Sequence, residues 1–491
     1  MKTTRHSSPR GGVLNDSPCC AFDHGPKREG NILLAKSLRL ALVAVAAVGI
    51  NTPAAWAKVS AEEAATLGKE LTCIGAEKAG NKDGTIPAYS GKWLGIPAGV
   101  NTKGSAGHDP DPYASEKPLF EITAKNMEQY AERLSEGEKA MFKKYPDSFR
   151  MPVYPSHRDF RYANWICDAA RQNALSAEVT EGGDGISAFA GAIPFPIPKS
   201  GLELLRNTTL PARAWKETAT YDQAVVYPNS DIAWGRVFYR ILAEPNDPGK
   251  KPRDKTEGVQ AYANVVTLLP ERNKGEIIIS ADYYNYKREP RQAWQYNPGT
   301  RRVRQLPAFG FDMPQGPGGF RTVDDDRLFN GSGERYNWKI VGKREVYIPY
   351  DTYRLNDPKV KYSDLLKPGH INPAYTRYEL HRVWLLEGSL KEGYRHQYAK
   401  RVMYLDEDTW HAVMSDNYDA RGQLWRVGIV NYYYAYQMEA FQAGVAVFHD
   451  LASGTYMADR LISEQPNGVV LNSGDLKPDD FTPDAARRAG H

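Results

Sequence analysis

From about residue 221 to 462 the chain reads as short runs of alternating apolar and polar residues cut by turn formers. The pattern predicts strands over Ile232–Leu242, Tyr262–Leu269, Glu276–Lys287, Arg291–Tyr296, Arg301–Leu306 and Tyr336–Tyr350. It predicts more over Arg377–Leu386, His396–Leu405, Thr409–Ser415, Gln423–Tyr433, Val445–Asp450 and Thr455–Arg460. Period-two alternation gives a strand one wet and one dry face. The connections are short: Asn297-Pro298-Gly299, Asp406-Glu407-Asp408, Asp419-Ala420-Arg421-Gly422 and Ser453-Gly454. Loops of that length join antiparallel neighbours and exclude parallel crossovers. The expected second region, 221–462, is therefore an antiparallel meander whose dry face needs a cover.

The preceding region, 58–220, carries helical and loop signals. Ser60 with Glu63 makes a capping box before Ala64–Leu71, and Ser135 with Glu138 opens a helix ending before Pro146. Helices are also expected over Ala124–Leu134, about Tyr162–Ala174 and Gly201–Asn207. Alternating proline in Ile193-Pro194-Phe195-Pro196-Ile197-Pro198 forbids a helix and predicts an extended strap over the sheet, with a pocket rim or lid or a docking segment for a partner as the functional readings. The segment 463–491 is polar and Asp/Pro-rich, and is expected to be a loose tail. The fold class is α+β, with these helices against the sheet.

The start of the chain bears on location. Lys36 and Arg39 precede the apolar run Leu40–Ile50, and Ala55-Trp56-Ala57 follows. A positive flank, a short apolar core and a small-x-small end are the parts of a secretory signal. The run is too short to span a bilayer, which takes about 20 residues. Residues 1–57 are thus expected to be removed, leaving a soluble periplasmic protein. They hold seven Lys+Arg and three Asp+Glu, so the remaining 434 residues carry 56 of each sign. A neutral chain has no electrostatic basis for holding nucleic acid. Cleavage also leaves two of the four cysteines, Cys73 and Cys167, which the oxidising compartment predicts to be a disulfide.

Several stretches resemble the proteobacterial family of unknown function DUF1329. They are Val59–Pro87, Pro194–Glu203, Tyr296–Arg304, Arg321–Asp325 with Phe329–Ser332, and Arg401–Trp410 with Asp416–Trp425. The family is similar to the outer-membrane lipoprotein-sorting proteins LolA and LolB. That likeness implies an incomplete antiparallel β-barrel wrapped around helices, with an apolar cavity. It also implies an outer-membrane protein and a resistance-nodulation-division-type transporter as partners. It supplies no catalytic residues.

The residues supply little chemistry either. His381, His396 and His411 fall in expected strands without zinc-ligand spacing, so no metal or cofactor is expected. Asp324-Asp325-Asp326 lacks the alternation of a calcium loop and reads as a positioner of Arg321 or Arg327. Gly331-Ser332-Gly333 lacks the strand-to-helix setting of a nucleophile elbow. The aromatic strands are the best ligand-surface candidates: Tyr284, Tyr286, Trp294, Tyr296, Trp384, Trp410 and Trp425, with Phe195 from the proline run. Ordinary core is the competing reading for each. The function expected is non-enzymatic carriage of a lipid, sterol-like compound or lipoprotein acyl chain. The alternatives are a structural adaptor of an envelope transport complex and a hydrolase of hydrophobic substrates.

Overall fold

The computed structural model describes residues 59–98, 100, 108–250 and 256–490. The expected signal segment 1–57 lies outside them. The described residues form one compact unit. In chain order its strands are β1 (Phe120–Thr123), β2 (Arg150–Val153), β3 (Glu178–Thr180), β4 (Gly185–Ser187), β5 (Lys216–Val226), β6 (Ile232–Leu242) and β7 (Val259–Leu269). Then come β8 (Ile277–Tyr283), β9 (Gln292–Asn297), β10 (Arg302–Gln305), β11 (Pro314–Gln315), β12 (Arg321–Thr322) and β13 (Tyr336–Pro349). The last are β14 (Tyr378–Leu390), β15 (Lys400–Asp406), β16 (Ala412–Tyr418), β17 (Leu424–Ala435), β18 (Ala440–Asp450), β19 (Tyr456–Leu461) and β20 (Val470–Leu471). The α-helices are α1 (Ala61–Ala64), α2 (Glu136–Lys144), α3 (Asn164–Ser176), α4 (Gly201–Thr209), α5 (Tyr362–Leu365) and α6 (Pro483–Ala489).

Sixteen strands share one sheet, ordered β1-β2-β14-β15-β16-β17-β18-β19-β5-β6-β7-β8-β9-β10, with β13 on β14 and β20 on β5. Two meanders, β14–β19 and β5–β10, are joined where β19 pairs antiparallel with β5. No ladder joins β1 to β10 among the described residues, so the sheet is an incomplete barrel. Its dry face is covered by helices, as alternation requires: Leu204 and Leu205 of α4 lie in the main core with Val383, Met403 and Ile429. Among the described residues no helix is long and apolar enough to cross a membrane.

The twelve expected strands all form, with ends shifted by a few residues. Strand β5 was not expected. It runs through the expected boundary at 220, because β6 and β19 supply ladders on both sides of a sequence with weak alternation. The first region also contributes β1 and β2 to the sheet edge. The expected helix Ala64–Leu71 shortens to α1, and Ala124–Leu134 forms a 3-10 turn over Met127–Arg133. The tail is not loose. Phe481 is 3% exposed and joins Leu242, Ile277, Ile279 and Tyr296 in a cluster on the outer face of β6–β9.

Cys73 and Cys167 are bonded, tying the segment after α1 to α3. The proline run is a buried strap. Asn207 of α4 accepts from the Phe195 N–H (2.9 Å) and donates to its carbonyl (2.7 Å). A Cβ at Gly75 would lie 1.8 Å from the Pro196 carbonyl oxygen, so only glycine allows this approach, at φ +103°.

Candidate functional site

The register of β5–β8 puts every second residue on one inner face. Val237 faces Thr267, Tyr239 faces Val265, Ala263 faces Ser280 and Val265 faces Ile278. These residues line a cavity of about 380 Å³, within the usual range of small-molecule sites, roughly 300–1,000 Å³. Val237, Ile241, Val265, Leu269 and Ile278 make its apolar wall. The roof is the segment Phe309–Pro317, in which Gly316 takes φ +75° and comes so near Met457 that a Cβ would lie 2.7 Å from the methionine methyl.

The opposite side, on the segment just before β5, on β12 and the turn after it, and on β19, is rich in guanidinium groups. Arg213, Arg321, Arg327 and Arg460 reach the cavity there together with Asp326 and Asp459, while Arg272, Glu276 and the Arg291–Asp282 ion pair (2.5 Å) line it elsewhere. Consecutive strand residues point to opposite faces, yet Asp459 and Arg460 both line it. A bulge explains this: the register of β19 against β5 slips between Ala458 and Leu461, and Arg460 takes φ +58°. Arg327 is also left-handed, at φ +53°. Non-glycine residues held there store backbone strain, which clusters at functional sites.

The ion pairs are specific. Arg460 lies 3.0 Å and Arg327 3.5 Å from Glu217, and Arg321 lies 3.0 Å from Asp459. Burial alone would raise the Asp326 carboxyl, but Arg460, Arg321 and Arg327 hold it below its ordinary value. Four guanidiniums thus face three carboxylates. Arg213 makes no ion pair among the described residues, although the charge of Glu217 favours its protonated form, and its Nη2 is buried with no hydrogen-bond partner. Burial and then the charge of Arg327 lower its proton affinity. Burial, Arg327 and Arg213 also push the nearby His411 down to about 3, so it is neutral.

None of the eight aromatics singled out from the sequence lines this cavity. Trp294 and Tyr296 pair with Ile279 and Ile277, so parity turns them to the outer face and the Phe481 cluster. Trp384 stacks on Trp410, whose indole N–H donates to the Ile74 carbonyl at 2.8 Å in the main core. Trp425 donates to Asp450 (3.0 Å). Tyr284 and Phe195 pack together in a separate core cluster. Tyr286 lies behind the cavity, its hydroxyl 3.3 Å from Asp282. Sequence reading named Arg321 and Arg327 only as partners of the Asp run and missed Arg213 and Arg460, because isolated arginines read as solvated surface charge. Of the Asp run, Asp324 pairs with Arg401 (2.5 Å) and His396 (3.0 Å), and Asp326 feels the charges of Arg321 and Arg327, whose direct ion pairs are with Asp459 and Glu217.

Two other clusters have chemical potential. His381, Asp406 and Asp408 offer ligand atoms within 4.8 Å of one another, all buried. Both Asp408 oxygens already accept from Arg158, at 2.8 and 2.7 Å, and His381 lies 3.2 Å from Glu379. A guanidinium therefore already supplies the positive charge there. The Ser332 hydroxyl donates to Asp184 at 2.6 Å.

An unclosed antiparallel sheet with a half-apolar, half-cationic cavity is the class of protein these features define. The DUF1329 family, described as proteins of unknown function, matches residues 121–487. The chain belongs to that family. It is 41% identical over 452 residues to the uncharacterised protein PA3922 of Pseudomonas aeruginosa, covering 91% of this chain and 97% of that one. Among solved structures it is similar to a Vibrio parahaemolyticus domain described as outer-membrane lipoprotein-sorting (14% identity, TM-score 0.40, 59% of this chain and 98% of that one). It is also similar to a DUF1329 protein of Desulfovibrio piger (13%, TM-score 0.37, 56% and 92%) and a LolA-superfamily protein of Nitrosomonas europaea (12%, TM-score 0.34, 58% and 99%).

Proposed function

We propose that this protein is a non-enzymatic carrier that holds a hydrophobic molecule in the cavity on the inner face of β5–β8. The observation that carries the reading is the apolar wall. Val237, Val265, Leu269 and Ile278 are only half-buried and, with the buried Ile241, border the cavity. Apolar surface kept from packing gains about 25 cal/mol per Å² when a ligand covers it. The signal-like segment Lys36–Ala57 supports export. A periplasmic carrier working between a resistance-nodulation-division-type transporter and an outer-membrane partner is the setting that fits.

The test is binding of the neutral fluorescent probe N-phenylnaphthylamine to the purified protein. Ala263→Trp fills the wall with an indole. The variant is expected to keep its circular dichroism spectrum and lose at least about ten-fold in probe affinity, since about 1.4 kcal/mol of lost burial is a factor of ten. Unchanged probe binding by the folded variant would refute the cavity as the site. Native mass spectrometry of protein from its own periplasm would then name the cargo.

A further inference from the structure

The cavity is not uniformly greasy, and its polar side is unbalanced. We propose that the natural ligand is an anionic amphiphile, whose carboxylate or phosphate is taken by Arg213 beside Arg327 while its apolar body lies along β6–β8. This rests on the carrier reading above and names the chemistry of the cargo.

Three independent features point the same way. The charge count of the cluster leaves one guanidinium over, with Glu217, Asp326 and Asp459 engaged by Arg327, Arg460 and Arg321. Buried donors remain open: Nη2 of Arg213 and Nε of Arg327 have no hydrogen-bond partner. A buried donor left unpaired is costly, and a charged one more so. An incoming oxyanion satisfies them with charge-assisted hydrogen bonds, the planar guanidinium fork matching either acid. The third feature is the backbone. The bulge at Arg460 and the left-handed Arg327 bring guanidiniums inward where regular geometry would turn them away. The apolar wall across the cavity, on β6–β8, then suits a molecule with one acidic end.

The experiment compares ligands of one chain length: oleate, 1-oleoyl lysophosphatidic acid, oleyl alcohol and inorganic phosphate, each titrated by calorimetry. At least one of the two anionic lipids is expected to bind about ten-fold or more tightly than oleyl alcohol, and phosphate alone not to bind at millimolar concentration. Which of the two lipids binds tighter separates carboxylate from phosphate. Arg213→Met is expected to remove that preference by weakening the anionic lipids far more than oleyl alcohol, and Arg213→Lys to restore part of it. Because Arg213 makes no ion pair and burial opposes its charge, Arg213→Met is also expected to keep or raise the melting temperature of the ligand-free protein. A merely structural role would lower it. Equal binding of alcohol and acids would overturn the anion preference and leave the carrier reading standing. Failure of all three lipids, with N-phenylnaphthylamine insensitive to Ala263→Trp, would overturn both.

Discussion

Glu138 shows how one side chain sets a pH dependence. It closes the capping box of α2, its Oε2 accepting from the Ser135 N–H at 2.8 Å while the Ser135 hydroxyl accepts from the Glu138 N–H at 3.0 Å. It is fully buried, and its Oε1 has no partner. Burial, helped by the Asp416 carboxylate and opposed by the Ser135 hydrogen bonds, pushes its carboxyl up to about 8. A raised acid stabilises the fold fully below its unfolded value near 4.5 and loses that contribution as pH rises through the folded value. Stability from this group therefore falls between about pH 4.5 and 8. Glu138→Gln keeps the cap and removes the proton. Its melting temperature is expected to exceed the parent's by a margin that widens from pH 5 to pH 8. Parallel curves in a calorimetric pH series would contradict this.

At the scale of elements, the end of the chain seals the sheet. The inner face of β6–β8 borders the cavity, so those strands depend on their outer face for packing. Phe481 stacks on Tyr262 at 5.5 Å, and the Tyr296 hydroxyl donates to the Gly490 carbonyl at 3.0 Å, fixing the end of α6. Deleting a buried phenyl group costs about 3–5 kcal/mol in transfer and cavity terms. Phe481→Ala is expected to lose that much in urea denaturation and to make β7–β9 the first segment to exchange amide hydrogen. Local exchange rates equal to the parent's would show that the cavity strands stand without the C-terminal cover.

At the scale of the molecule, the Cys73–Cys167 bond joins residues 94 apart. It holds the chain's first described turns on α3, beside the strap at Ile193–Pro198. Closing a loop of that length stabilises by about 2–4 kcal/mol, mainly by limiting the unfolded chain. The double variant Cys73→Ser, Cys167→Ser is expected to unfold at lower denaturant by about that margin, and the parent to do the same under reductant. Its affinity for a hydrophobic probe should be little changed, because neither cysteine lines the cavity. A large loss of probe binding in the folded double variant would tie the N-terminal segment to the site.

Much of the sheet was readable because alternation and turn chemistry are local. Asn297-Pro298-Gly299 announces the β9–β10 hairpin, and Asp406-Glu407-Asp408 the turn before β16. Helix α2, with a complete capping box and an apolar stripe, was legible for the same reason. Strand β5 was not, because its partners lie in β6 and, some 230 residues away, in β19. Nor was the tail, whose one phenylalanine finds its partners across the sheet. The cavity was the least legible feature. Aromatics are the residues sequence offers for a ligand surface, but strand parity sent Trp294 and Tyr296 outward and core packing took Trp410. The cluster's arginines, Arg213, Arg321, Arg327 and Arg460, come from three separate stretches of the chain. Two of them, Arg327 and Arg460, point there through left-handed backbone that no local propensity favours. Local composition determined where strands and caps form. Which face each strand shows, and which charge is left without a partner, was decided only when distant ladders locked into register.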